Sequence, residues 1–160
     1  AAVEALGAQL IAEMTKELDK LWGEELAVSA FDLGIQLVFE VFTRDRERTV
    51  VVMSERGGGP EGQELYQRLS SAMVDFTMTQ IDRGVREGVF STEDTRLTAS
   101  CVVGAITFFL TRWAILGESD RDDIIAKAPS VARQLWQMFG VEREDRVPPP
   151  DPNLSSKTSS

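Results

Sequence analysis

The stretch Thr92–Leu116, TEDTRLTASCVVGAITFFLTRWAIL, together with Asp120–Phe139, DRDDIIAKAPSVARQLWQMF, decides the fold. In the first, Val102, Ile106, Phe109, Trp113 and Leu116 step by four, three, four and three. In the second, Ile124, Ala128, Val131, Leu135 and Met138 repeat the same steps. That spacing places an apolar stripe along one side of a helix that lies nearly parallel to another helix. Two consecutive helices of this kind form a hairpin, and their apolar surface exceeds what the hairpin alone can cover. A partner chain is the expected cover, with Val102, Ile106, Phe109, Trp113, Ile124, Val131, Leu135 and Met138 as the interface.

Working outward, the remaining sequence is also helical in pattern. Val3, Leu6, Leu10, Met14, Leu18 and Leu21 hold one face of a helix from near Ala2 to Leu21. It starts without a capping residue, as a helix cut from a longer chain would. A second helix covers about Glu25 to Arg44, apolar around most of its circumference and therefore central. Thr49 to Met53 reads as a short helical turn or helix. Gly57 to Gly62 reads as a loop. A long helix follows from about Gln63 to Glu87, with Gly88 as its stop. Ser91-Thr92-Glu93-Asp94 and Ser119-Asp120-Arg121-Asp122 are helix-start signals, with Ser91 expected as the first cap. Pro129 implies a kink or a late start in the last helix. The expected division is an all-α domain over residues 1–141 and a charged, then Pro- and Ser-rich tail over 142–160, expected to be disordered.

Composition narrows the function. The chain has 160 residues and a net charge of -9, from 26 acidic and 17 basic residues. Such acidity repels phosphate and disfavours direct nucleic-acid binding. There is no histidine. The commonest general base and the commonest metal ligand are therefore unavailable. Asp32, Gln36 and Glu40 lie a turn apart and could face a metal, but they read better as a solvated stripe. Gly57-Gly58-Gly59 lacks the Lys and the preceding strand of a phosphate loop. The single cysteine, Cys101, fits a reducing compartment and a cytoplasmic protein. Its neighbours Val102, Val103 and Ala105 predict a buried, inert thiol. No signal peptide is visible, and the most apolar stretch, Cys101–Leu110, is short for a bilayer. No cofactor or metal is implied.

In place of catalytic groups the chain offers eight Phe, five Met and three Trp. Phe39, Phe42, Met73, Phe76 and Phe108 fall on faces assigned inward, either as plain core or as the lining of an apolar ligand cavity. Thr77, Gln80 and Arg112 are the candidate polar groups beside them.

The order of these features resembles the C-terminal domain of TetR-family transcriptional regulators. The resemblance is carried by Arg83-Gly84-Val85-Arg86-Glu87-Gly88-Val89-Phe90-Ser91-Thr92-Glu93-Asp94, followed by Ala99, Gly104, Ala105 and Trp113. It implies an all-α regulatory domain of about six helices. Its last two long helices would form a four-helix bundle in a homodimer, and its central helices would surround a small apolar or aromatic effector. Operator DNA would be bound only through an N-terminal helix-turn-helix head. No basic tri-helical head of that kind is present in this sequence, so this chain alone is not expected to bind DNA. The implied parent is a ligand-responsive repressor. A dimeric helical interaction module without an effector is the alternative, and an enzyme on a helical scaffold is the reading the missing histidine disfavours.

Overall fold

The computed structural model describes residues 2–24, 27–54 and 59–140, and within these the side chains of 4–21, 31–54 and 59–140. The described residues form six helices: α1 (Ala2–Glu24), α2 (Ala27–Thr43), α3 (Arg46–Ser54), α4 (Gly59–Arg86), α5 (Thr95–Ala114) and α6 (Arg121–Phe139). The expected all-α class and helix order hold, and Thr49–Met53 belongs to a full short helix. The tail from residue 141 onward lies outside the described residues.

Four boundaries differ from the sequence expectation, each for a local reason. The glycine-rich segment is helical from Gly59, because Pro60 sits in the first turn, where its missing N–H costs nothing. α5 starts at Thr95 rather than Thr92. The Asp94 carboxylate accepts from the Leu97 N–H at 2.9 Å, whereas the Thr92 hydroxyl is held by the Asp94 N–H and by Thr98. Asp94 is therefore the cap, and Ser91 is not. α5 also stops at Ala114, so the seam residue Leu116 lies beyond its end. α6 starts at Arg121 behind the cap Asp120, and Pro129 is accommodated inside it.

α2 sits at the centre, packed against α1, α3, α5 and α6, while α4 packs on α1 and α5. α2 and α4 are not closely packed on each other, and this leaves room between them. The short α3 satisfies the last carbonyls of α2. Arg48 donates to Val41 O at 3.3 Å, and the fully buried Thr49 hydroxyl donates to Phe42 O at 2.5 Å. Arg46 reaches the other way and donates to Ala114 O at 2.9 Å, a cation at the C-terminus of α5.

The α4–α5 link is fastened to the end of α6. Gly88 takes a positive φ of 71°, and Val89 and Phe90 donate back to Gly84 O. Ser91 N–H then donates to Phe139 O at 2.8 Å. Under this link Phe31, Phe90 and Phe139 meet edge to face, with ring centroids 5.0–5.6 Å apart. Gly84 is required there, because a Cβ would overlap the Phe90 ring.

α1 docks through Leu10, Met14 and Leu18, all buried. Surface pairs flank that stripe: Glu4 with Arg68 at 2.8 Å, Asp19 with Arg83 at 3.3 Å, and Glu13 with Arg44. Such exposed pairs contribute about 0–1 kcal/mol each, so apolar burial holds the helix.

Candidate functional site: an apolar interior and an outward face

Two cavities occupy the space between α2 and α4. The first is lined from α1 by Leu10 and Met14, from α2 by Val38 and Phe42, and from α3 by Val52 and Met53. α4 supplies Tyr66, Leu69, Ser70, Met73, Phe76 and Thr77, and α5 supplies Val103, Ile106, Thr107 and Leu110. The second lies further along, among Leu18, Leu21, Phe31, Ile35, Gln80, Ile81, Phe90 and Phe139. Each has a volume of about 80 Å³, and neither lining contains a charged side chain. The polar groups are hydroxyls and one amide, and the Thr77 hydroxyl already donates to Met73 O at 2.8 Å.

The structure brings five of the eight expected ligand-site residues together. Phe42, Met73, Phe76 and Thr77 line the first cavity, and Phe76, Thr77 and Gln80 line the second. The other three stand elsewhere. Phe39 is fully buried in solid core, edge-on to Phe109 at 6.3 Å. Phe108 is 55 % exposed on the outer side of α5, which corrects its inward assignment. Arg112 is exposed, paired with Glu118, and lies 5.4 Å over the Phe108 ring. Tyr66, Ser70 and Thr107 escaped the sequence reading. Tyr66, Ser70, Met73 and Thr77 share one helical stripe, and that spacing was the available signal.

The expected dimer seam needs a larger correction. Val102, Ile106, Trp113, Ile124, Val131 and Leu135 are buried within a single chain, from Ile124 at 0 % to Val131 at 8 % exposed. Phe109 is half-buried, and only Met138 stands out at 59 %. The stripes do meet other helices, but these belong to the same chain: α6 packs mainly on α2, and α5 packs mainly on α4 with a smaller contact to α2. A different set faces outward. Leu97, Cys101, Gly104 and Phe108 on α5, and Ile115 at its C-cap, are all exposed, and at 100° per residue they lie opposite Val102, Ile106, Leu110 and Trp113. Cys101 is thus an exposed thiol, not a buried one. By length and composition α5 is apolar enough to cross a membrane, but its inner stripe is core of the bundle.

Partial desolvation raises the carboxyl pKa of Asp32 on α2, and Arg133 on α6 opposes this with the smaller effect. Among the described residues there is no group of three potential metal ligands. Of the Asp32–Gln36–Glu40 stripe, the Gln36 amide donates to Glu40 at 2.9 Å.

The described residues thus form a six-helix domain with an apolar interior and a second apolar face outside. The profile of the tetracyclin repressor-like C-terminal domain matches residues 29–137, and the chain belongs to that family of transcriptional regulators. No curated protein sequence matches significantly. Two solved structures share the fold. One, described as a TetR-family transcriptional regulator from Syntrophomonas wolfei, is 18 % identical with a TM-score of 0.72, covering 83 % of this chain and 69 % of that one. The other, described likewise and from Mesorhizobium loti, is 14 % identical with a TM-score of 0.71, covering 87 % and 72 %.

Proposed function

We propose that the chain is the effector-binding and dimerisation domain of a ligand-responsive repressor, and that its effector is a small neutral apolar molecule held between α1, α2, α4 and α5. The observation that carries this reading is the uncharged interior lined by residues of five helices, α1 among them. An ionised ligand placed there would lack a counter-charge, at a cost of several kcal/mol. A neutral apolar one gains about 25 cal/mol for each Å² it removes from water. A ligand that enlarges the cavity presses on Leu10 and Met14 and shifts α1. In this reading α1 leads to the DNA-binding head, and the shift changes the spacing of two heads on their half-sites.

The dimer forms through the outward face of α5, joined by Lys127, Gln134 and Met138 of α6. Lys127 of α6 lies 6.0 Å from the Phe109 ring, which sets that edge of α6 beside α5. Gly104 supports a second copy as the occupant. It is exposed in mid-helix, and a Cβ there would meet nothing of its own chain within 4 Å. Glycine in a helix costs about 1 kcal/mol against alanine, so its use fits a close helix crossing with another chain.

Thermal melting with matched neutral and ionised apolar compounds tests the effector. Neutral members are expected to raise the melting temperature, and ionised ones to raise it far less. Equal shifts for both, or none, would remove the basis for the reading.

A further inference from the structure

The two cavities share a wall. Val38 of α2, Phe76 and Thr77 of α4, and Ile106 of α5 line both. They also lie in series. On α1 the first cavity takes Gly7 to Met14 and the second takes Leu18 and Leu21. On α4 the first runs from Tyr66 to Thr77 and the second from Phe76 to Ile81. On α2, which runs the opposite way, Phe42 belongs to the first and Phe31 to the second. From Gly7 to Leu21 the helical rise is about 21 Å, so the pair spans a long, narrow path.

The two ends differ in chemistry. The first cavity carries the hydroxyls of Tyr66, Ser70 and Thr107, whereas the second carries the Gln80 amide near the waist and ends on the Phe31–Phe90–Phe139 cluster. Each alone, at about 80 Å³, is small beside the several hundred Å³ of a usual ligand pocket. A compact ligand would have to push helices apart to fit in either. A linear one needs only the waist to open, and Phe76, half-buried, is the largest side chain there. Rotation of one ring between staggered positions is a small change beside separating packed helices.

We infer that the two cavities are one tunnel closed at its waist by the Phe76 ring, and that its ligand is an elongated neutral amphiphile. Its hydroxyl, ester or amide end lies near Tyr66, Ser70 and Thr107, and its aliphatic chain passes Phe76 toward Phe90. This rests on the reading of the interior as the effector site. It adds a shape, a polarity and a direction to that site.

The test is a series of n-alkanols from hexanol to tetradecanol, each titrated by displacement of a neutral fluorescent probe. The proteins are the unaltered chain, Phe76→Leu and Phe76→Trp, with melting curves to establish that each variant is folded. Affinity is expected to rise about four-fold per methylene and to keep rising through the longer members. Phe76→Leu keeps that rise, and Phe76→Trp stops it at the short members. Decanoate, ionised, binds at least ten-fold more weakly than decanol. If short alkanols bind and affinity levels off at octanol in the unaltered chain, the tunnel is overturned while the apolar site stands. If Phe76→Trp, folded, binds tetradecanol as the unaltered chain does, the waist is wrongly assigned. If no alkanol binds, both the tunnel and the site beneath it fail.

Discussion

Phe108→Glu and Leu135→Glu should behave oppositely. Phe108 is 55 % exposed in the single chain, and in the proposed dimer each copy buries that ring against the other. A phenylalanine carries roughly 200 Å² of surface, so about 110 Å² per copy is at stake. At 25 cal/mol per Å² this is about 2.8 kcal/mol per copy, and twice that for a two-fold contact. The dimer dissociation constant should rise by roughly four orders of magnitude. The single chain should lose little, because exposed substitutions stay within about 0.5 kcal/mol and the new carboxylate stands one turn before Arg112. Leu135, 5 % exposed, is core. Replacing it with Glu loses about 2–5 kcal/mol of packing and adds an unpaired buried charge. That is a large part of the 5–15 kcal/mol available to a whole domain. Light scattering with size exclusion and circular dichroism on both variants decides the matter. The expected results are a folded Phe108→Glu monomer and an unfolded or aggregated Leu135→Glu. A folded Leu135→Glu monomer beside an intact Phe108→Glu dimer would show that the inner stripe, not the outer face, is the interface.

Two further outcomes follow from local geometry. Gly84→Ala gains up to about 1 kcal/mol of helix propensity but forces the packed Phe90 ring aside, so overpacking of about 1–3 kcal/mol should win and lower the melting temperature. The raised pKa of Asp32 means the folded state holds its proton more tightly than the unfolded chain does. Its contribution is therefore fully present below the ordinary aspartate pKa and is lost as pH rises through the folded value. Asp32→Asn should thus be the more stable protein at neutral pH. In urea titrations the difference should vanish toward acid, and a difference unchanged with pH would refute the assignment.

Much of the fold was legible because helical periodicity and caps are local. The 3.6-residue pattern marked the five long helices, though not the short α3, and Asp94 and Asp120 stood within the two start signals read from the sequence. What a face meets is not local. The stripe of Val102, Ile106 and Trp113 shows only that something apolar covers it, and α5 packs mainly on α4 and to a smaller extent on α2, a helix more than fifty residues earlier in the chain. α5 is apolar on two opposite sides, so periodicity alone could not say which side turns inward. The α4 part of the cavity was more accessible, since Met73, Phe76, Thr77 and Gln80 follow one stripe. The share contributed by α1, α3 and α5 depends on how five separate helices align, and no single stretch encodes it.

In the proposed function a neutral apolar effector occupies the interior of this domain. The most direct measurement is equilibrium titration with N-phenylnaphthylamine, followed by fluorescence, on the unaltered chain and on Ser70→Trp, which fills the first cavity. Saturable binding of one probe per chain is expected, with at least ten-fold weaker binding by the variant while its fold, by circular dichroism, is kept. Unsaturable binding, or the same affinity in a folded Ser70→Trp, would contradict it.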